Sequence, residues 1–317
     1  MARLTPLDLA AARRIGAAFG LQVSAVEALA GGSVNSNFRL EAEGGARFFL
    51  RVYEEQNEGG AARELALLGA LGHAGVPTPA PLVRADGAPL EAHAGKPVAL
   101  FPWVEGEILC QARVTPAHAA KVGAALAEVH LARVERPAPG RFERPELEAR
   151  LARVARDAPA FAGVTEDLSR RLEQWWARRD ASLPSGLIHG DLFRDNVLWQ
   201  GEALAALIDF ESASLGVFAY DLMVCVHAWC FGDRFSPELV QGMLQGYHAV
   251  RRLGRDELAA LEAEGAIAAL RFAVTRITDY SLRAPPGQPP LRDYRRFLAR
   301  LAAIEAGALV APRASLG

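Results

Sequence analysis

The segment of residues 186–210 contains the side chains whose types and spacing are best suited to chemistry. His189, Asp191 and Asn196 form the pattern H-x-D-x-x-x-x-N, and Asp209 ends the apolar stretch that follows. Phosphoryl transfer requires positioning and charge neutralisation from a protein more than covalent chemistry. Asp191 is suited to take the proton of an acceptor hydroxyl, while Asn196 and Asp209 offer oxygen ligands to a metal ion. The pattern therefore predicts a catalytic hairpin whose catalytic residues are Asp191, Asn196 and Asp209.

The chain before Trp103 mixes strand and helix signals. Aromatic and branched residues on both sides of the turn EGGA predict a β-hairpin, and a helix is expected over residues 60–73. Prolines at positions 77, 79 and 81 end this helix, because proline cannot continue a helix and favours extended chain before it. The strands are expected over residues 38–41, 47–53, 81–84 and 97–102.

The chain after Trp103 is dominated by helical patterns, interrupted by the hairpin of residues 186–210. The helices are expected over residues 115–133, 144–156, 164–181, 236–252, 256–283 and 290–308. The sequence therefore predicts an α+β protein with two domains, residues 1–103 and residues 104–317.

Composition and charge limit the classes of function. The 317 residues are 51% hydrophobic and 23% charged, which is ordinary for a soluble globular protein. The net charge of −2 and the absence of a strong Lys/Arg run argue against nucleic-acid binding. No stretch reaches the roughly 18 apolar residues of a membrane span, so we expect a cytoplasmic protein. Cys225, His227 and Cys230 lie in an apolar run and are expected in the core rather than at a metal ion.

Nearly the whole chain resembles the aminoglycoside phosphotransferase and choline kinase group of the protein-kinase-like superfamily. HGDLFRDN is similar to the catalytic loop of that group, and LIDFE stands where protein kinases have DFG. The resemblance implies a two-lobed kinase-like fold. The smaller lobe is a small antiparallel sheet with one main helix and covers the nucleotide; the larger lobe is mostly helical and holds the catalytic loop and the acceptor. It also implies ATP and Mg²⁺ as cofactors, with Asn196 and Asp209 as the metal ligands.

Two supporting roles follow from the same resemblance. Tyr220-Asp221 matches the aromatic-aspartate pair of the group, and we expect Asp221 to hold the catalytic loop rather than to take part in chemistry. His189 is likewise expected to hold the turn.

The nucleotide side of the site is also assigned by resemblance. The segment GGSVNSN is similar to the phosphate-covering loop of the group, which implies that Gly32, Ser33 and Asn35 contact the cofactor. Taken alone, this segment is typical of an ordinary turn. Arg51 stands at the position of the strand lysine that steadies the α- and β-phosphates, and its planar fork suits phosphate oxygens. Glu64, on the following helix, is expected to pair with Arg51.

Four segments resemble the bacterial type II homoserine kinases in particular: GLIHGDLFRDNVLW, VGAALAEVHLA, AWCF and ALRFAVTRITD. This resemblance implies L-homoserine as the acceptor and a place in threonine biosynthesis. An amino-acid acceptor needs a cation for its carboxylate and an acid for its ammonium group. Arg271 and Arg276 are candidates for the first role and Asp233 for the second, although a surface salt bridge explains either arginine equally well.

Other functions stay open at this stage. FLRVYE and IDFE also resemble choline and ethanolamine kinases, so another small alcohol is an alternative acceptor. An aminoglycoside acceptor is disfavoured, because the acidic residues of the helical region are scattered. A pseudokinase is disfavoured because Asp191, Asn196 and Asp209 are all present. The expected partners are ATP and a small-molecule alcohol, with the oligomeric state left open.

Overall fold

The structure of the protein, a computed structural model, describes residues 5–29, 34–134, 137–285 and 288–310. The chain forms two compact units. The smaller unit consists of Met1–Glu107, Ala132–Val134 and Leu198–Glu211, and the larger unit consists of Ile108–Leu131, Glu135–Val197 and Ser212–Gly317. The division into domains at residue 103 stays a prediction.

An antiparallel sheet of five strands dominates the described part of the smaller unit, in the order β1-β2-β3-β5-β4. The elements are α1 (Leu9–Ala18), β1 (Val23–Ala28), β2 (Ser36–Ala42), β3 (Arg47–Val52), α2 (Glu58–His73), β4 (Glu91–His93) and β5 (Lys96–Pro102). Ile15 of α1 packs in one cluster with Leu40, Leu50 and Leu100 of the sheet, and all four are fully buried. This arrangement confirms the predicted hairpin of β2 and β3, with α2 as the main helix.

Residues 81–84 differ from the prediction, because they do not form a strand. Leu82 donates a single main-chain hydrogen bond of 2.8 Å to the carbonyl of Leu100 on β5. Pro79 and Pro81 lack the N–H groups that a continuous ladder needs, so this segment runs extended without forming a strand. Strand β1 was not predicted, because its exposed residues interrupt the alternation of apolar and polar side chains.

Helices dominate the larger unit. They are α3 (Pro116–Leu131), α4 (Arg144–Asp157), α5 (Ala162–Trp176), α6 (Phe218–Trp229), α7 (Pro237–Val250), α8 (Arg255–Arg276) and α9 (Arg295–Glu305). A π-helical turn, Ile277–Ser281, extends α8. The predicted α+β class with a mostly helical C-terminal part is therefore confirmed.

The predictions missed helix α6, because all twelve of its residues are buried and leave no polar face to mark a helical period. Its neighbours α7 and α8 have polar residues at their exposed positions and were predicted at nearly their observed positions. Among the described residues, no helix is both long and apolar enough to cross a membrane.

Two short strand pairs frame the segment that carries the predicted catalytic residues. Strand β6 (Ser185–Ile188) pairs antiparallel with β9 (Ser214–Val217). Strand β7 (Val197–Gln200) pairs with β8 (Ala203–Leu207), and Gly201 makes the turn with a φ of +58°. The hairpin predicted around Gln200 and Gly201 is therefore present.

Candidate active site

The catalytic loop, residues 189–196, joins β6 to β7. Gly190 has a φ of +75°, which is the left-handed region that favours glycine. A Cβ atom at this position would lie 2.9 Å from the carbonyl oxygen of Ser212, closer than real side chains come to main-chain atoms. Glycine is therefore required by both the local backbone conformation and the close approach of the chain after β8.

Asp221, in the first turn of α6, holds this loop through its main chain. Its carboxylate accepts hydrogen bonds from the amides of His189 and Gly190, at 2.7 and 2.8 Å. Burial opposes ionisation, but the hydrogen bond from His130 together with the amide of Gly190 lowers the pKa of Asp221 below its ordinary value. The structure thus confirms the expected role of Asp221 as the residue that holds the loop.

A buried hydrogen-bond chain supports Asp221 in turn. His130 Nε2 lies 3.1 Å from Asp221 Oδ2, and His130 Nδ1 lies 2.7 Å from the Tyr247 hydroxyl. Burial lowers the pKa of His130 below its ordinary value, which favours the neutral ring. A neutral ring that donates from Nε2 to the carboxylate accepts the Tyr247 proton at Nδ1. Arg251 completes the chain by donating to the Tyr247 hydroxyl at 3.3 Å and to Glu257 at 2.7 Å.

Asp191 is partly buried and lies next to a cation. Its Oδ1 atom is 3.6 Å from Arg271 Nη1, and only 5% of the Arg271 side chain is exposed. The Arg271 guanidinium lies over the rings of Phe142 and Phe272, at 3.9 and 3.8 Å from their centroids. Two aromatic faces thus hold a positive charge against the predicted base and fix the orientation of the guanidinium.

Asn196 is buried within the same loop. Its Nδ2 atom donates a 2.8 Å hydrogen bond to the main-chain carbonyl of Asp191, which ties the two ends of the predicted motif together. Trp229 on α6 adds a further support by donating to the carbonyl of Leu192 at 3.0 Å. With its amino group engaged, the Asn196 carboxamide has a fixed orientation and presents its oxygen on the other side.

Asp209 belongs to the smaller unit and lies two residues after the end of β8. Its φ of +64° places a residue other than glycine in the left-handed region, which costs about 1 kcal/mol and is typical of functional sites. The described residues contain no group of three or more His, Cys, Asp or Glu side chains arranged to hold a metal ion. The predicted pair of one asparagine and one aspartate therefore stays a prediction.

Arg51, on β3, makes the ion pair that was expected with Glu64 of α2. Arg51 Nη1 lies 3.2 Å from Glu64 Oε1, and both side chains are largely buried. Glu64 also accepts hydrogen bonds from Tyr53 at 3.4 Å and Gln56 at 3.0 Å. Arg51 Nε is buried without an acceptor among the described residues. The guanidinium is therefore fixed in place and retains a donor for an incoming group.

Glu211 is a second acid on Arg51 that the sequence predictions did not include. Its Oε1 atom lies 3.4 Å from Arg51 Nη1 and accepts a 2.6 Å hydrogen bond from Asn35 Nδ2. Burial, followed by the negative charge of Asp209, raises the pKa of Glu211 to about 7. Burial lowers the pKa of Arg51, but the carboxylates of Glu64 and Glu211 outweigh burial and raise it overall. The signal that could have found Glu211 is its place two residues after Asp209 in IDFE.

The remaining predicted residues are distributed as follows. Gly32 and Ser33 lie outside the described residues. Asn35 is buried, and its Oδ1 atom accepts a hydrogen bond from the amide of Glu54 at 3.2 Å. Arg276 is partly buried at the end of α8, whereas Asp233 is exposed in the turn that follows α6. Their roles toward cofactor or acceptor stay predictions.

Comparisons with known proteins identify the family to which the chain belongs. Residues 25–261 match the phosphotransferase enzyme family. The chain is 37% identical over 286 residues to a homoserine kinase of Mesorhizobium japonicum, covering 86% of each chain. It is 38% identical over 274 residues to a homoserine kinase of Methylocella silvestris, covering 84% of each chain.

Solved structures show the same fold. A spectinomycin phosphotransferase in complex with ADP and spectinomycin superposes with a TM-score of 0.71 at 13% identity, over 96% of this chain and 99% of that one. A choline/ethanolamine kinase family protein from Mesorhizobium loti gives a TM-score of 0.62 at 18% identity, over 92% of each chain. The predicted kinase-like fold is therefore confirmed.

Proposed function

The chain belongs to the phosphotransferase enzyme family, and on this premise we propose that it transfers the γ-phosphate of ATP to the hydroxyl of L-homoserine. The observation that carries the proposal is the catalytic loop. Asp221 accepts hydrogen bonds from the amides of His189 and Gly190, and Asn196 donates a hydrogen bond to the carbonyl of Asp191. The main chain on both sides of Asp191 is thus fixed before any substrate binds, as a positioned base requires.

Asp191 is the proposed base. Its carboxylate takes the proton of the acceptor hydroxyl as that oxygen forms a bond to the γ-phosphorus. The bond between the γ-phosphorus and the bridging oxygen breaks at the same stage, and ADP leaves with the electron pair. Arg271 lies 3.6 Å from Asp191, and its positive charge attracts the carboxylate and holds it in place.

The chain has residues that fit a nucleotide and its metal ion. The buried Arg51 Nε atom has no acceptor among the described residues, which fits a group rich in acceptor oxygens. We propose that Arg51, oriented by Glu64, contacts the phosphates together with Gly32, Ser33 and Asn35. Asn196 and Asp209 offer carboxamide and carboxylate oxygens, the ligands that Mg²⁺ prefers, and are the proposed metal ligands. Bound Mg²⁺ would neutralise the charge of the phosphates.

The homoserine kinases that share 37% and 38% of their aligned residues with this chain support L-homoserine as the acceptor. Arg271 and Arg276 are the proposed contacts for its carboxylate, and Asp233 is the proposed contact for its ammonium group. On this basis the protein would act in threonine biosynthesis and in the cytoplasm, where ATP is available.

The test is ADP release by the purified protein with ATP and Mg²⁺, across L-homoserine, choline, ethanolamine, methylthioribose and kanamycin. We expect turnover with L-homoserine at least about a hundredfold above the other four, because a binding site built for a carboxylate rejects compounds that lack one. Turnover of another alcohol with none of L-homoserine would keep the phosphotransferase and contradict the acceptor. Silence with all five, together with failure to bind ATP, would contradict the proposed function.

A further inference from the structure

We infer that Arg194, Arg276 and Arg300 form an anion site in the larger unit, and that it selects acceptors that carry a carboxylate over purely cationic alcohols. These three residues are called the arginine cluster below. The inference rests on the proposed function, because it assigns the acceptor class of the same reaction. Arg194 and Arg300 were not among the predicted site residues.

Within the described residues, the guanidinium groups of the cluster donate to uncharged acceptors and not to carboxylates. Arg194 Nη1 lies 2.5 Å from the carbonyl of Ala228 and also donates to the Gln111 side chain. Arg276 Nη1 donates to the main-chain carbonyl of Asp293 at 3.0 Å. These bonds fix the two guanidinium groups without neutralising their charge.

Arg300 is held in the same manner and is the most buried of the three, at 6% exposed. Its Nε atom donates to the carbonyl of His227 at 3.2 Å, and its Nη1 atom donates to the carbonyl of Arg296 at 2.7 Å. It also lies over the rings of Phe231 and Phe297, at 4.4 and 4.7 Å from their centroids. Carbonyls and aromatic faces orient a cation but leave its full charge in place.

The cluster therefore holds positive charge without a carboxylate partner in the described part of the chain. None of its three members makes an ion pair there, whereas Arg292 nearby pairs with Asp195 at 3.1 Å. Burial and then the positive charges of neighbouring arginines lower the pKa of Arg300 to about 9 and that of Arg276 to about 10. Buried like charges of this kind are costly, and a bound anion removes the cost.

The cluster is connected to the proposed base by a continuous stack of rings and cations. Arg271, beside Asp191, lies over Phe272, and Phe272 stacks on Phe297 with centroids 4.9 Å apart. Arg276 covers the same Phe297 ring at 4.4 Å from its centroid. The charge of Asp191 also acts on Arg276, where it opposes the larger effect of burial on the pKa. The anion site therefore lies on the same stack of side chains as the proposed base.

The positive charge of the arginine cluster distinguishes acceptors by their own charge. A carboxylate beside the reacting hydroxyl gains charge-assisted hydrogen bonds from the cluster. Choline, ethanolamine and aminoglycosides carry only positive charge, and like charges in a partly buried site repel. The structure thus favours a hydroxylated amino acid or hydroxy acid over the choline-type alternative.

The experiment compares L-homoserine with 3-aminopropan-1-ol, which has the same amino alcohol chain without the carboxylate. In Arg276→Met, we expect kcat/KM for L-homoserine to fall about tenfold to a hundredfold, the value of a lost charge-assisted contact. We expect kcat/KM for 3-aminopropan-1-ol to stay level or to rise, because that cationic compound gains nothing from the cluster and is repelled by its charge. Arg283→Met, which removes an equal charge from an exposed position, should leave both substrates unchanged.

An unchanged preference for L-homoserine in Arg276→Met would overturn the inference, whether both substrates lose equally or neither loses. A second readout does not depend on turnover. Sulfate should raise the melting temperature of the wild-type protein more than chloride at equal ionic strength, and Arg276→Met should abolish the difference. If the wild type fails to phosphorylate L-homoserine but shows this sulfate effect, the proposed acceptor fails and the anion site stands. An equal sulfate effect in both proteins would contradict the anion site.

Discussion

Arginine serves two different purposes in the two units of this protein. In the smaller unit, Arg51 is flanked by the carboxylates of Glu64 and Glu211, at 3.2 and 3.4 Å. In the larger unit, the arginine cluster is bound by carbonyls and aromatic rings and has no carboxylate partner among the described residues. The pKa of Arg51 is raised, whereas the pKa values of Arg276 and Arg300 are lowered to about 10 and 9.

The difference indicates what each region requires of its ligand. Arg51 is already compensated, so its role is to be rigid and to offer a fixed donor to a ligand that brings its own metal ion. The arginine cluster makes no ion pair among the described residues, so the ligand supplies the negative charge that pairs with it. The first arrangement stabilises the protein in the absence of ligand, and the second stores a cost that binding relieves.

Among the variants that compare the two regions, the largest expected effect is that of Arg51→Met. Loss of the guanidinium should lower kcat/KM for ATP about a hundredfold, because a fixed cation on the phosphates is removed. It should also lower the free energy of unfolding by about 3 kcal/mol, because the buried carboxylate of Glu64 loses its counter-charge. Steady-state kinetics in ATP and urea denaturation measure the two effects.

The matched control is Arg47→Met on the same strand, since Arg47 is exposed and pairs with Glu105 at the surface. It should change neither ATP kinetics nor stability appreciably. An Arg51→Met protein with unchanged kinetics but lowered stability would make Arg51 purely structural and would break the comparison.

Arg300→Met should differ from Arg51→Met in its effect on the free energy of unfolding. It removes two hydrogen bonds to carbonyls, each worth about 1 kcal/mol, but it also removes a buried charge that costs several kcal/mol. We therefore expect the free energy of unfolding of the ligand-free protein to stay level or to rise. Urea denaturation of Arg300→Met and Arg51→Met side by side checks this prediction. An equal loss of stability in both variants would show that the two regions do not differ in how their arginines are compensated.

The last comparison concerns the pH dependence of stability that arises from His227, whose carbonyl accepts a hydrogen bond from Arg300. Its Nε2 atom is 2.7 Å from the carbonyl of Gly265, and because a carbonyl only accepts, this nitrogen carries the proton. Burial lowers the pKa of His227 from 6.5 to about 3. The unfolded chain binds a proton below pH 6.5 that the folded protein refuses, so the stability due to the neutral ring is lost as pH falls through that window.

The corresponding measurement is the stability of the wild type relative to His227→Gln at several pH values. The wild type should lose about 1.4 kcal/mol per pH unit relative to the variant, from near pH 6.5 downward. His73→Gln, at an exposed helix end, is the control and should run parallel to the wild type. A difference between wild type and His227→Gln that does not change with pH would mean that His227 binds a proton equally in the folded and unfolded states, and would contradict the lowered pKa.

The predictions from sequence succeeded where short-range pattern decides the structure. The hairpin of β2 and β3 and the helices α3 and α4 follow from local spacing and turn chemistry. The loop-holding role of Asp221 was expected from the resemblance of Tyr220-Asp221 to the aromatic-aspartate pair of the kinase-like group, and the hydrogen bonds of Asp221 confirm it. Helix α6 was missed because burial on every side removes the helical period from the sequence. Residues 81–84 were wrongly predicted as a strand, because a ladder depends on N–H groups that proline lacks.

The contacts between distant parts of the chain could not be predicted. Glu211 is 160 residues from Arg51, and nothing local to either residue shows that they meet. Arg194 and Arg300 are ordinary in sequence, and their importance comes from the fact that neither forms an ion pair within the described residues. A missing partner is a property of three-dimensional packing and leaves no pattern along the chain.

The most direct test of the central claim compares Asp191→Asn with Asp195→Asn, a change of equal size four residues away at an exposed position. We expect Asp191→Asn to bind ATP normally and to lower turnover of L-homoserine at least about a thousandfold, because the proposed base is lost. Asp195→Asn should retain turnover close to that of the wild type. Near-normal turnover in Asp191→Asn would contradict the assignment of Asp191 as the base and the mechanism built on it.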